Sequence, residues 1–437
     1  MINLKSVSML RARTTLAALL CASVLCSFVS VAPAQAADPV VFSFATVGDS
    51  RQDPVNADPT TLLPNTTGTL LKQDAIWLQN TKAWARILRT IQSQKTNMLF
   101  MNGDMIMGYG HAKVPGSWAT TAPNLSQVVN SDLVKFYTQY AYWRGMVANM
   151  METGTYVIPV AGNHETECNN AVTTNGIPCA NGNKKAVIEN EDAWRANMSD
   201  LVEDLNTNQR FQSVVGSPAL NVAGLTAATA PQAIDTLGGT NQADLSYSFD
   251  LNTAGGLLHF AVVNTDPTGN DTHAPTAWLA ADLAAAQTRG AAKYFVFGHK
   301  PAFTYNYLVS GTLAAQGLDA DVAARNAFWK VVAQYNAAYF AGHEHSTFAD
   351  QHPDPTGTFP AANPWHVLVG GGGSPFDDKL VGVCPACTEP ALAHPADRYY
   401  AWAVVRVRQS GAVSMDLYGF NDQFGLTQVV QSVANFQ

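Results

Sequence analysis

The sequence predicts an α/β protein built on a parallel sheet, and three observations predict it. Short apolar runs rich in β-branched or aromatic residues recur at 39–47, 97–102, 156–160, 294–297 and 338–341, each with the pattern of a buried strand. Between the first two lies a stretch with apolar residues at helical spacing. That strand–loop–helix–strand order is the mark of a right-handed βαβ unit. Each run also stops at a polar cluster opened by glycine: Gly48-Asp49, Gly103-Asp104, Gly162-Asn163-His164-Glu165, Gly298-His299 and Gly342-His343-Glu344-His345. In open α/β sheets ligands bind beyond the carboxyl ends of the strands, so these clusters are expected to meet there.

Taken in order, residues 39–47 form the first strand, alternating and then continuously apolar. A polar loop bearing proline and threonine covers 52–69. Ile76, Trp77, Ala83, Trp84, Ile87, Leu88 and Ile91 then recur at helical spacing, so 72–94 reads as an amphipathic helix with its tryptophans in the core. Residues 97–102 are the next strand. An insertion at 111–153 holds a Gly/Pro-rich loop and a helix over 132–151. After the strand at 156–160, Gly162 lets the backbone turn sharply and approach a ligand. A longer insertion, 166–241, holds two cysteines, a helix at 189–205 and an Ala/Thr/Gly-rich stretch. The two insertions are expected to wall a cleft. Residues 246–251 and 257–264 are adjacent strands joined by Ala254-Gly255-Gly256, and Pro275 opens an Ala-rich helix reaching 289. A helix at 319–335 separates the last two of the five apolar strands. A strand at 365–369 runs into the glycine loop 370–373, and 399–408 with 413–418 read as a closing antiparallel pair. With no internal repeat, 37–437 reads as one catalytic-type domain.

The chain has 437 residues, 47% of them hydrophobic, which is ample for a large core. Only 13% are charged, against roughly 25% in an average soluble protein, and that suits an exported one. Lys5, Arg11 and Arg13 precede an apolar, acid-free run at 16–31, and Ala34-Gln35-Ala36 follows as a small-x-small site. Residues 1–36 therefore read as a secretory signal peptide cleaved after Ala36, sending the protein to the periplasm or outside the cell. The run is short for a membrane span and no later one is longer, so no span is expected after cleavage. Cleavage leaves 22 Lys and Arg against 33 Asp and Glu, taking the net charge from −8 to −11. An acidic surface argues against nucleic-acid binding, whereas bound metal ions would invert the local field for a small anion. Four cysteines remain: Cys168, Cys179, Cys384 and Cys387. In an oxidising compartment they read as two disulfides, and proximity favours Cys168–Cys179 and Cys384–Cys387 among three connectivities. Cys384-Pro385-Ala386-Cys387 also has the spacing of a redox pair or half a zinc site. It follows a glycine loop instead of opening a helix, and no second Cys-x-x-Cys exists.

Carboxylate, amide oxygen and imidazole together suit divalent ions such as Mn, Zn or Fe. A carboxylate has two oxygens and can bridge two ions, and a pair of ions can clamp a phosphate. His343 and His345, two apart in an extended segment, face the same side. Singly, a strand-end Asp is usually a helix or turn cap and a lone His a satisfied structural residue. Five such clusters, each ending an apolar strand, are not an ordinary coincidence.

The ordered set from Asp49 to His345 resembles the calcineurin-like metallophosphoesterase superfamily. The resemblance implies a four-layer α/β/β/α sandwich with two divalent metal ions at one edge of the central β-layers. It implies an exported hydrolase that cleaves a phosphomonoester or phosphodiester of a small substrate by attack of metal-bound hydroxide. By the same resemblance Asp104 bridges both ions, Asp49 and His345 hold the first, and Asn163, His299 and His343 hold the second. His164 stands over the phosphate and Glu165 orients His164. The first motif departs from the family's Asp-x-His, being Asp49-Ser50-Arg51. Arginine cannot ligate a cation. The purple acid phosphatase variant has a Tyr where this chain has Met107, and neither Tyr109 nor His111 matches a family position. Water, another side chain, or a weak or empty first site are all open readings, and Arg51 also suits gripping the substrate phosphate through its planar fork. The departure motivates the competing reading, a non-catalytic binding or scaffold protein on the same fold. Lys300, Asp266 and His273 are further candidates to line the pocket, and 370–373 to offer amides to an anion.

Overall fold

The computed structural model describes residues 38–54, 81–173, 177–203, 221–227, 241–304, 308–309, 312–313, 315–374, 399–421 and 424–437. The expected signal peptide, most of the 52–69 loop, Ile76, Trp77, Cys384 and Cys387 lie outside the described residues. The chain runs through β1 (Val40–Val47), α1 (Lys82–Ser93), β2 (Met98–Asn102), α2 (Leu125–Val129), α3 (Asp132–Glu152) and β3 (Tyr156–Val160). It continues through α4 (Asn163–Thr166), β4 (Glu167–Cys168), β5 (Lys185–Ala186), α5 (Ile188–Glu203), β6 (Asn221–Ala227), β7 (Tyr247–Thr253) and β8 (Gly256–Val262). Then come α6 (Thr276–Thr288), β9 (Lys293–Phe297), β10 (Leu308–Val309), β11 (Thr312–Leu313), α7 (Val322–Gln334) and β12 (Ala338–Ala341). Five strands close it: β13 (Thr347–Gln351), β14 (Trp365–Val369), β15 (Tyr399–Arg408), β16 (Val413–Asn421) and β17 (Gln428–Val433).

Successive side chains of a strand point to opposite faces, and here both faces of the central strands are apolar. Phe42 and Phe44 of β1, Met98 and Phe100 of β2, Phe295 and Phe297 of β9 and Phe340 of β12 enter one core between two sheets. Their neighbours Ala45, Val47, Leu99 and Met101 face a second core with Trp84 of α1, Trp143 of α3 and Trp194 of α5. Val296, Tyr339 and Ala341 face a third, with Leu279 and Leu283 of α6 and Phe328 and Trp329 of α7. The result is the expected four layers: helices, sheet, sheet, helices. The first sheet runs β17-β16-β15-β1-β2-β3 and the second β13-β14-β12-β9-β8-β7-β6. The strands that carry the clusters pair in parallel with β2: β1 on one side, β3 on the other. Strands β9 and β12 likewise pair in parallel. Parallel pairing puts their carboxyl ends on one edge. Helix α3, within the segment read as an insertion, is the crossover between β2 and β3 and packs into the second core.

Helix α7 starts at Val322, later than the 319 the periodicity predicts, because the Asp321 carboxylate caps it by accepting from the amides of Ala323 and Ala324. Residues Leu318–Ala320 form a separate 3-10 turn. A disulfide joins Cys168 and Cys179. Among the described residues no helix is long and apolar enough to cross a membrane.

Candidate metal centre

The loops after β1, β2, β9, β12 and β14 are laced together by backbone hydrogen bonds. Asp49 N–H donates to Gly103 O, Arg51 N–H to Asp104 O, Gly342 N–H to His299 O and Gly48 N–H to Val369 O, at 2.7–3.0 Å. This lacing requires unusual backbone. Asp49, Asp104 and His343 all have positive φ, at 65°, 54° and 75°, which non-glycine residues rarely adopt. Gly103 (φ 81°) leaves room for a ligand: a Cβ there would lie 2.4 Å from His299 Nδ1.

Asp104, Asn163, His299 and His343 come together. Asn163 Oδ1 lies 2.8 Å from His299 Nε2 and 2.9 Å from His343 Nδ1. The two imidazole nitrogens are 3.2 Å apart, and Asp104 Oδ1 is 3.2 Å from His299 Nε2. His299 Nδ1 donates to the Asn102 carbonyl at 2.8 Å. That bond fixes the proton on Nδ1, so Nε2 turns a lone pair toward the amide and carboxylate oxygens. Burial and the neighbouring His299 and Lys300 push the His343 imidazole well below its ordinary range, which favours its neutral form. With the His343 proton on Nε2, its Nδ1 adds a further lone pair, an arrangement that suits a cation. Two donors each about 2.1 Å from one ion and at right angles to each other sit about 3.0 Å apart. The observed spacings match, and the donor set fits a divalent ion.

His164 Nδ1 donates to Met107 O at 2.6 Å, which leaves Nε2 facing the centre, 3.7 Å from Asp104 Oδ2. Burial raises the Asp104 carboxyl, but His164, His299 and Arg51 outweigh it and hold the group below its ordinary value. The role expected of Glu165 changes. Its two oxygens accept from the amides of Asp104, Met105, Ile106 and Gly162 at 2.7–3.1 Å. It fastens the β2 and β3 loops together, and the Met107 carbonyl orients His164 in its place. Burial and Asp104 push Glu165 up to about 8, against the pull of those amides.

Tyr109 is the site residue that sequence reasoning left out. Its hydroxyl accepts from Asn163 Nδ2, at 2.5 Å, and its ring lies against His164 with centroids 3.8 Å apart. The lone signal was its place five residues after Asp104. His111 is engaged elsewhere: Nδ1 donates to Pro178 O, and Nε2 sits 3.4 Å from Glu189.

Asp49, Asp104 and His345 each place one donor atom within 4.8 Å of the others. Asp49 Oδ2 accepts from His343 N–H, and its Oδ1 lies 3.6 Å from His345 Nε2. The buried Arg51 guanidinium enters this group. Its Nη2 is 2.7 Å from His345 Nε2 and 3.1 Å from Nδ1, Nη1 is 3.3 Å from His164 Nε2, and Nε donates to Ser374 Oγ at 3.0 Å.

Lys300 is buried and held by Asp266 (2.5 Å), Thr272 (2.9 Å) and Glu167 (3.4 Å), and these carboxylates raise its pKa despite burial. It serves structure, joining the end of β9 to β4. His273 lies 3.3 Å from Asp321 at the start of α7. In the loop 370–373 the Gly370 and Gly372 amides donate to Ser346 O and Gly48 O, so both are already committed.

No family model matches the chain, and no curated protein matches it. Among solved structures it is similar to a purple acid phosphatase from yellow lupin (Lupinus luteus) seeds, at 11% identity and TM-score 0.49, over 90% of this chain and 53% of that one. The chain thus spans about half the length of the lupin protein. It is similar to PhoD at 13% identity and TM-score 0.44, over 92% of this chain and 73% of that one. It is also similar to GAP50, the anchor in the inner membrane complex of Plasmodium, at 10% identity and TM-score 0.40, over 91% and 89%.

Proposed function

We propose that the chain is an exported, metal-dependent phosphoric ester hydrolase acting on a small phosphorylated substrate. The observation that carries this reading is the convergence of Asp104 Oδ1, Asn163 Oδ1, His299 Nε2 and His343 Nδ1. These four would hold a divalent ion, whose chemistry is to polarise a phosphoryl oxygen and neutralise its charge. Asp104 also belongs to the group with Asp49 and His345, which supports a shared role for its carboxylate. His164 presents Nε2 beside that carboxylate and can give a proton to the leaving oxygen. The Arg51 guanidinium adds a fixed positive charge next to His164, suited to a phosphate oxygen. Glu165 is a positioning residue that sets where Asp104 and Asn163 stand. A disulfide between Cys168 and Cys179 accords with an oxidising compartment.

The test is hydrolysis of a chromogenic phosphomonoester and the matching diester with added Mn²⁺, beside a His299→Ala variant. Turnover lost in His299→Ala supports the reading, and the preferred ester chooses monoesterase or diesterase. Metal binding without turnover on any phosphoester offered would favour the competing reading of a binding or scaffold protein, which Arg51 in place of a ligating histidine motivates.

A further inference from the structure

The two halves of the centre are not alike. In the Asn163 half, a carboxylate oxygen, an amide oxygen and two ring nitrogens converge. In the Asp49–His345 half, a protein cation is already present. Whichever ring nitrogen of His345 carries the lone pair, Arg51 Nη2 lies within 3.1 Å of it. One lone pair serves an N–H or a metal ion, not both. The guanidinium is held there from three sides. Ser374 accepts from Nε, and the Ser374 amide donates to Asp49 O at 2.9 Å. Nη1 lies 3.3 Å from His164 Nε2, and the Arg51 amide is tied to Asp104 O at 2.7 Å with φ at 37°.

We propose that the Arg51 guanidinium is the built-in cation of the Asp49–His345 half, so that each chain takes a single divalent ion, in the Asp104–Asn163–His299–His343 half. The inference rests on the metal-dependent reading above and narrows it. The phosphate then meets one metal ion and one guanidinium where a dinuclear enzyme offers two ions.

The experiment is Mn²⁺ loading of the purified protein, with metal per chain measured after gel filtration and the bound ion examined by electron paramagnetic resonance. One Mn²⁺ per chain with the spectrum of an isolated ion is expected. Two per chain with exchange coupling would overturn the inference while leaving the hydrolase reading intact. No bound metal at all would overturn both. Arg51→His should raise the count to two; a folded Arg51→His protein that still takes one counts against the proposal. Should that variant fail to fold, Asp49→Asn and His343→Ala decide. The proposal requires Asp49→Asn to keep its Mn²⁺ and His343→Ala to lose it, and the reverse pattern sinks it.

Discussion

Asn163 presents its carbonyl oxygen to two imidazoles because its other amide atom is engaged by the Tyr109 hydroxyl. Removing that hydroxyl frees the amide to rotate and turn a nitrogen toward the ion. Tyr109→Phe should therefore weaken Mn²⁺ binding by about 10–100-fold, the usual effect of losing a group that orients a ligand, with stoichiometry unchanged; calorimetric titration measures it. Asp104→Asn is expected to abolish turnover and most metal binding, since the carboxylate belongs to both ligand groups. Full activity in Asp104→Asn would refute its central role. At this scale the sequence was readable where chemistry and position coincide. Asp49, Asp104, Asn163, His299 and His343 each directly follow a glycine at the end of an apolar strand, and His345 stands two residues past His343. Tyr109 was not readable that way, because its role depends on a loop conformation (φ 61°) that no periodicity announces. Nor were the partners of Glu165, since bonds to backbone amides leave no mark on sequence.

A buried cluster ties helix α6 to the second sheet. His259 of β8 lies 2.7 Å from Asp250 of β7 and 2.9 Å from Asp282 of α6. Arg289 also pairs with Asp250, and Ser248 donates to Asp282. Burial pushes the His259 imidazole down, but the two carboxylates outweigh it, so its folded pKa is raised above the ordinary 6.5. A raised histidine contributes stability that is fully present below about pH 6.5 and lost as pH rises through the folded value. The urea midpoint should fall as pH rises above about 6.5, and His259→Gln should flatten that decline. A wild-type midpoint that climbs over this range would contradict the assignment. Elements carrying continuous apolar runs or clear helical spacing were readable, among them β1, β2, β3, β9, β12, α1 and α3. The exposed edge strand β17 gave no such signal, since it buries too little to keep one face apolar, and β13 gave none because its buried Thr347, Phe348 and Ala349 run straight into Asp350 and Gln351. The start of α7 moved because a single capping carboxylate outranked the periodic pattern.

At the scale of the molecule, Phe44 is the hub between the sheets. Its ring centroid lies 5.4 Å from Phe100, 5.2 Å from Phe295 and 5.7 Å from Phe340, and the side chain is fully buried. Phe44→Ala should cost about 3–5 kcal/mol, read from the urea midpoint at unchanged slope. The α/β class was legible from alternation between strand and helix patterns. The four layers came from resemblance, because a strand apolar on both faces looks the same in sequence whether helices or a second sheet cover it. The residues outside the regular elements carried no pattern from which their shape could be read.

The proposed ligands of the centre come from both sheets: Asp104 and Asn163 from the ends of β2 and β3, His299 and His343 from the ends of β9 and β12. An ion shared among them would fasten two layers that otherwise adhere through non-directional contact between phenylalanines. Occupancy then becomes a mechanical property. By mass action an ion at a hundred times its dissociation constant would add about 2.7 kcal/mol to the folded state. Chelation should accordingly lower the melting temperature and speed amide exchange on both sides of the seam, in β2 and β9 alike. A protein of this build would hold together best where metal is plentiful, and its lifetime would track the supply of that ion.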